Sequence, residues 1–178
     1  MAYEVEMKAW VDDWERVERY LRSACEFERS FRKEDRYYSH ESAADGFLFR
    51  VRIDPPRAYV TFKEKRVRGG AEVNLEREFT VDDASAFVEL QERLGAVEAF
   101  AKVKEGLHFR FDGLTVELVH VHELGDFLEI EFVHDDDDDE LHDAAVARIR
   151  RFLDAAGIAE DRVEPRPYMK LLRDARGT

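Results

Sequence analysis

The sequence predicts an α+β domain: a large antiparallel sheet closed into a barrel, with helices packed outside it. Three observations predict this. Segments with period-2 alternation outnumber segments of helical period, and most neighbouring strands are joined by hairpin-type turn signals. No repeat, linker or break in composition divides the 178 residues, apart from an acidic run at 135–139. A chain of this length suits one domain, residues 1–178, and buries roughly two-thirds of its unfolded surface.

The elements follow in order. Residues 3–9 alternate, with Glu4, Glu6 and Lys8 on one face and Tyr3, Val5, Met7 and Ala9 on the other, as a strand requires. A helix opens at Asp12 or Asp13 and carries Trp14, Val17, Tyr20, Leu21 and Ala24 at helical spacing. Residues 27–38 read as a strand, Asp45-Gly46 as a turn, and 47–53 as the returning strand, which Pro55-Pro56 ends. Residues 58–66 and 72–79 form a hairpin across Gly69-Gly70. A helix over 82–94, capped by Thr80 or Asp82, is expected to bury Phe87, Leu90 and Leu94. Residues 99–104 and 107–111 read as two strands, and Asp112-Gly113 turns into a strand at 114–121, followed by one at 127–133. Helix 139–156 packs through Leu141, Val146, Ile149 and Phe152 and stops at Gly157. A short helix over 167–173 closes the chain.

Composition narrows the function. There are 41 Asp and Glu against 28 Lys and Arg, a formal charge of −13, which argues against non-specific binding to nucleic acid or anionic membranes. No run of about 18 apolar residues exists to span a membrane. The opening, MAYEVEMKAW, has charges where a secretory signal needs an apolar stretch, and the single cysteine, Cys25, has no internal partner. A cytoplasmic protein is the expectation. The cations divide into 21 Arg and 7 Lys, and an acidic, arginine-rich coat is what adaptation to high salt would produce. Four of the lysines form two K-x-K pairs, Lys63/Lys65 and Lys102/Lys104.

The polar faces of the strands carry the functional signal. They read Glu4-Glu6-Lys8, Arg50-Arg52, Thr61-Lys63-Lys65, Glu76-Glu78, Lys102-Lys104 and Glu129-Glu131, opposite strongly apolar faces. In an open sheet such faces are simply wet. Closing the sheet with its apolar side outward places cations and carboxylates in one tunnel, where buried charges of both signs need partners. A triphosphate held by Arg and Lys, with Mg²⁺ or Mn²⁺ held by carboxylates, supplies partners for both sets.

The motifs also resemble a known family. E-x-E-x-K at 4–8, Lys33-Glu34-Asp35-Arg36-Tyr37-Tyr38, Arg50-Val51-Arg52, Thr61-Phe62-Lys63, Leu124 to Glu131 (L-G-x-F-x-E-x-E), and Tyr168 to Leu172 are similar to the ordered motifs of the CYTH superfamily, the triphosphate tunnel metalloenzymes. The resemblance covers nearly the whole chain and implies an eight-stranded antiparallel tunnel with divalent-metal catalysis. It implies Glu4, Glu6, Glu129 and Glu131 as metal ligands, and Lys8, Arg50, Arg52, Lys63, Lys65, Lys102 and Lys104 as phosphate-binding residues. Glu6 and Lys8 are the residues it places in catalysis. Val119 departs from the family pattern, which has an Asp there, and Glu117, two residues earlier on the same face, becomes a candidate ligand in its place. Lys33 in place of a Gln is a milder departure.

The family pattern is most like class IV adenylate cyclases, which convert ATP to cyclic AMP and pyrophosphate. The alternative within the family is a triphosphatase acting on inorganic or thiamine triphosphate, and the alternative of another class is a non-catalytic triphosphate-binding module. A homodimer is compatible with the family. Other features read more simply. Asp135–Asp139 is a solvated loop leading into a helix amino end, His120 and His122 are exposed edge histidines, Cys25 is a small buried hydrophobe, and Arg66 and Arg68 sit at a hairpin tip.

Overall fold

In the computed structural model, residues 2–40, 48–68, 71–135 and 138–177 are described, with the side chains of residues 2, 48, 63–68 and 71–76 outside that description. The Asp45-Gly46 and Gly69-Gly70 turns, part of the 135–139 run, and the side chains of Arg66 and Arg68 therefore lie outside the described residues. The strands are β1 (Ala2–Trp10), β2 (Glu26–His40), β3 (Leu48–Asp54), β4 (Arg57–Arg68), β5 (Ala71–Val81), β6 (Ala96–Phe111), β7 (Leu114–Val121) and β8 (Gly125–His134). The helices are α1 (Trp14–Ala24), α2 (Ala84–Arg93), α3 (Asp139–Ala155) and α4 (Tyr168–Arg176), with a 3₁₀ turn at Glu160–Arg162.

Aspartates set the helix starts, because a carboxylate accepts from amides that have no partner within the helix. Asp13 accepts from the Arg16 amide at 3.0 Å and Asp138 from the amides of Glu140 and Leu141 at 2.7 and 3.2 Å. For α2 the cap is Asp83, which accepts from the Ala86 amide at 2.9 Å. This differs from the expected Thr80 or Asp82, since β5 runs on to Val81 and takes Thr80 into the sheet. The same helix corrects a second expectation. Leu90 and Leu94 are 53% and 61% exposed, because α2 turns Ala84, Phe87 and Val88 towards the sheet.

The two strands expected at 99–104 and 107–111 are one strand, β6, of 16 residues. Gly106 lies inside it without breaking it. A Cβ there would stand 2.1 Å from the Leu118 carbonyl oxygen, so the glycine lets the β6 and β7 backbones approach closely.

All pairings are antiparallel, in the order β1-β5-β4-β3-β2-β6-β7-β8, and β8 pairs back onto β1. The ring is not equally deep on all sides. β1 pairs with β8 from Tyr3 to Trp10 but with β5 from Ala2 to Glu6. Beyond Glu6, the C-terminal segment occupies that edge of β1: the Glu164 amide donates to the Lys8 carbonyl at 2.8 Å, and Ala9 bridges to Val163. The eight strands therefore curl into a cylinder that opens on one flank to admit the end of the chain.

Three apolar clusters hold this shape. Val5, Met7, Val116, Leu118, Leu128 and Ile130 face outward against Val17 and Leu21 of α1 and Ile149, Phe152 and Leu153 of α3. Tyr38, Val51 and Val60 face outward beneath Phe87 of α2. Phe31, Val119, Val121 and Phe127 point inward and are covered by Tyr168 and Leu171 of α4. Cys25 ends α1, partly buried against the first cluster, and burial pushes its thiol up to about 11. Among the described residues no helix is long and apolar enough to cross a membrane.

Gly106→Ala forces β6 away from the β7 backbone and should lower the melting temperature by roughly 4–10 °C. A thermal melt superimposable on the wild type would contradict the close approach.

Candidate active site

Directly paired residues of a sheet share a face, so the register traces one continuous inner ring. Glu6 and Lys8 of β1 stand opposite Glu131 and Glu129 of β8, and Glu117 of β7 stands opposite Glu129. His108 of β6 faces Glu117, while Lys104 and Lys102 face Lys33 and Asp35 of β2. Asp35 and Tyr37 then face Arg52 and Arg50 of β3, Arg50 faces Thr61 of β4, and Thr61 faces Glu78 of β5. Glu4 and the lumenal Lys8, Lys33, Asp35, Arg50, Lys102, Lys104, His108, Glu117 and Glu129 are all buried. Lys63 and Lys65 occupy β4 positions opposite Glu76 and Asn74, with side chains outside the described residues.

Buried charge has to be compensated, and three knots do so. In the first, Glu117 accepts from Lys33 at 2.5 Å, from Lys104 at 2.9 Å and lies 2.9 Å from His108 Nδ1. Lys104 also reaches Glu129 at 2.5 Å, and the Tyr168 hydroxyl donates to Glu129 at 2.7 Å. His108 Nε2 lies 3.1 Å from the exposed Glu28. In the second, fully buried Asp35 takes two bonds from Arg52, at 2.7 and 3.0 Å, and lies 3.4 Å from Lys102. In the third, Arg50 donates to Thr61 at 3.0 Å, and the Thr61 hydroxyl donates to Glu78 at 2.9 Å. The Tyr168 ring adds a fourth contact, with Lys102 and Lys8 Nζ at 4.4 and 5.2 Å from its centroid.

Proton affinities follow from this packing. Burial alone would raise the Asp35 carboxyl, but Arg52 and then Lys102 outweigh it and hold it well below the usual carboxylate range. Burial is likewise overcome at Glu117, chiefly by Lys104, and at Lys104 by Glu117 and Glu129, which hold the ammonium above its ordinary value. Lys33 goes the other way, since burial and the charge of Lys104 outweigh its bond to Glu117. Burial and the neighbouring Glu129 hold the Tyr168 phenol protonated.

The predicted residues Glu4, Glu6, Lys8, Arg50, Arg52, Lys102, Lys104, Glu117, Glu129 and Glu131 thus belong to strands whose register puts them on one inner surface. Among the described residues no three His, Cys, Asp or Glu side chains are grouped tightly enough to hold a metal ion as they stand. His120 and His122 are exposed and lie beside Asp126 and Glu105, at 2.6 and 3.5 Å. Asp35, His108, Thr61 and Tyr168 join the site without having been assigned to it from the sequence. The Asp112-Gly113 turn was the available signal for His108, since a two-residue connection fixes His108 opposite Glu117.

Residues 2–168 match the CYTH domain family. The chain belongs to that family. Among solved structures, the CYTH chain is similar to a conserved hypothetical protein from Pyrococcus furiosus, with 30% identity, a TM-score of 0.81, and 94% of this chain and 99% of that one covered. It is similar to a protein from Pyrococcus horikoshii at 26% identity, with a TM-score of 0.83 and coverage of 96% and 98%. A Vibrio parahaemolyticus protein, named provisionally as an adenylate cyclase, shares the fold at 16% identity, with a TM-score of 0.83 and coverage of 96% and 97%. Among curated proteins there is no match.

Lys33 and Glu117, two of the residues set apart in the sequence, are bonded to each other. Val119, without a carboxylate, is fully buried in the apolar cluster beneath α4. Glu117, the candidate ligand, is engaged by three cationic or imidazole groups, one of them Lys33.

Asp35→Asn leaves Arg52 and Lys102 buried without their counter-charge and should cost about 3–5 kcal/mol of stability at neutral pH. A carboxyl depressed on folding stabilises above its unfolded value of about 4, and that stability is lost as pH falls through the lower folded value. Denaturant titrations should therefore show wild type and variant converging in acid. A constant gap down to pH 2 would contradict the ion pair.

Proposed function

We propose that this CYTH chain is a Mg²⁺- or Mn²⁺-dependent enzyme that binds a triphosphate on its inner surface, converting ATP to cyclic AMP and pyrophosphate. The observation that carries the reading is the inner ring itself. Lys8, Arg50, Arg52, Lys102 and Lys104 share one enclosed surface with Glu4, Glu6, Glu129 and Glu131, and neither set alone would suit a polyanion with its counter-ion.

The donors fit a hard divalent cation. Glu6 and Glu131 face each other directly across β1 and β8, a like-charge pair whose oxygens suit Mg²⁺ or Mn²⁺. Glu4 and Glu129 extend the same all-oxygen set, Glu129 while also accepting from Lys104 and Tyr168, as Glu117 accepts from Lys33 and Lys104. When bound, such an ion neutralises phosphate charge and polarises the phosphoryl oxygens. The side chains do the rest. Arg50, with its planar donors, and the ammonium groups of Lys8 and Lys102 grip non-bridging oxygens and stabilise charge growing on the leaving pyrophosphate. Asp35 orients Arg52 by a two-point bond. In the cyclase reaction the ribose 3′-hydroxyl attacks the α-phosphorus and gives its proton to water, while the bond from the α-phosphorus to the bridging oxygen breaks and pyrophosphate leaves with that oxygen. No side chain needs to form a covalent intermediate.

Incubation with Mg²⁺ or Mn²⁺ and, separately, ATP, tripolyphosphate and thiamine triphosphate tests the reading. Cyclic AMP with pyrophosphate supports it, orthophosphate points to a triphosphatase, and tight binding without product leaves a receptor. Glu6→Gln should reduce metal-dependent turnover on the order of 100- to 1000-fold with an unchanged melting curve. Unchanged activity would sink the role of Glu6 as a ligand.

A further inference from the structure

One inward-facing pair belongs to none of the knots above. Tyr37 of β2 and Phe100 of β6 are direct cross-strand partners, with rings stacked 4.2 Å apart at 10°. Two other inward aromatic residues, Phe31 and Phe127, are buried under α4, and a third, Tyr59 of β4, stands half-buried opposite Arg52. Tyr37 and Phe100 are half-buried and lie in none of the three apolar clusters. The outward neighbour Tyr38 shows the contrast, being fully buried and stacked on Phe49 in the cluster beneath α2.

The surroundings of the pair are cationic. Arg50 stands directly opposite Tyr37, and Arg52 and Lys102 lie one inward position further along, about 7 Å in a strand. A partly exposed two-ring stack beside guanidinium and ammonium groups is complementary to a molecule with a flat heterocycle at one end and phosphates at the other. Inorganic triphosphate would use the cations and leave the stack unused.

We propose that Tyr37 and Phe100 form the wall on which the base of a nucleoside triphosphate stacks, making the site selective for nucleotides over inorganic triphosphate. This rests on the reading that a triphosphate occupies the inner surface. Stacking of a base on an aromatic ring tolerates any base, so the wall selects nucleotide from non-nucleotide rather than adenine from guanine.

Calorimetric titration of ATP and of tripolyphosphate in Ca²⁺, a divalent cation that takes the same oxygen ligands, tests the assignment, with product assays alongside to confirm that neither ligand is turned over. Phe100→Leu keeps apolar bulk while removing the ring, and Tyr37→Ala removes the other, with thermal melts run alongside. Each should weaken ATP roughly 5- to 150-fold while leaving tripolyphosphate within about twofold, and Tyr37→Phe should retain wild-type ATP affinity. If both ligands weaken together, or ATP does not weaken at all, the wall is not a base site, although the triphosphate reading stands. Wild-type protein that binds neither ligand overturns that reading, and the wall's role with it.

Discussion

The structure depends on keeping like charges apart across paired strands. Lys33 faces Lys104, and Glu117 faces Glu129, arrangements that are unfavourable even on a wet sheet and more so when buried. The solution is interleaving. Glu117 sits between the two lysines and Lys104 sits between the two glutamates, so sign alternates along Lys33, Glu117, Lys104 and Glu129. Asp35 does the same between Arg52 and Lys102. The chain depends on register for this, because a slip of one residue would carry the charges to the outer, apolar face.

The incomplete depth of the cylinder follows from the same need. Glu129 has Lys104 on one side, and its other oxygen accepts from Tyr168, which belongs to the last helix. For that hydroxyl to arrive, the chain must pass the wall, and it does so where the β1–β5 pairing stops at Glu6. Glu164 secures the passage. Its amide caps the Lys8 carbonyl, and its carboxylate takes the Trp10 indole at 3.1 Å and Arg166, which together hold it down to about 2. The covering of the lumen and the gap in its wall are therefore one feature.

Much of this was legible in the sequence, for identifiable reasons. Alternation along a strand reports its faces directly, so the inner identities of Glu4, Glu6, Lys8, Arg50, Arg52, Lys102 and Lys104 could be read without knowing any partner. Tight turns also fix partners: Pro55-Pro56 sets Arg52 opposite Tyr59, and Asp112-Gly113 sets His108 opposite Glu117. What could not be read was the pairing of strands joined by long connections. The partnership of Lys33 with Glu117 needs β2 beside β6, two elements separated by three strands and a helix. Local signals also misled. The expected strands 99–104 and 107–111 left a gap at Glu105-Gly106, where a glycine's need for close backbone approach and its need for a turn leave the same trace. Leu90 and Leu94 looked buried because helical spacing marks a face without saying whether anything covers it.

A net charge of −13 would seem to repel a polyanion, yet charge acts by position. In this lumen nearly every cation whose contacts are described already has a carboxylate beside it, so binding phosphate means exchanging partners. A phosphate that draws Lys104 or Lys102 towards itself leaves Glu117, Glu129 or Asp35 less compensated, in a place where uncompensated charge is costly. A polyanion arriving alone would raise that cost. A polyanion arriving with a divalent cation would not, because the metal can take up the carboxylates while the phosphates take up the lysines and arginines. In the proposed reading, the pairing of triphosphate with metal is thus a consequence of burying both signs of charge on one surface, before any step of chemistry is considered.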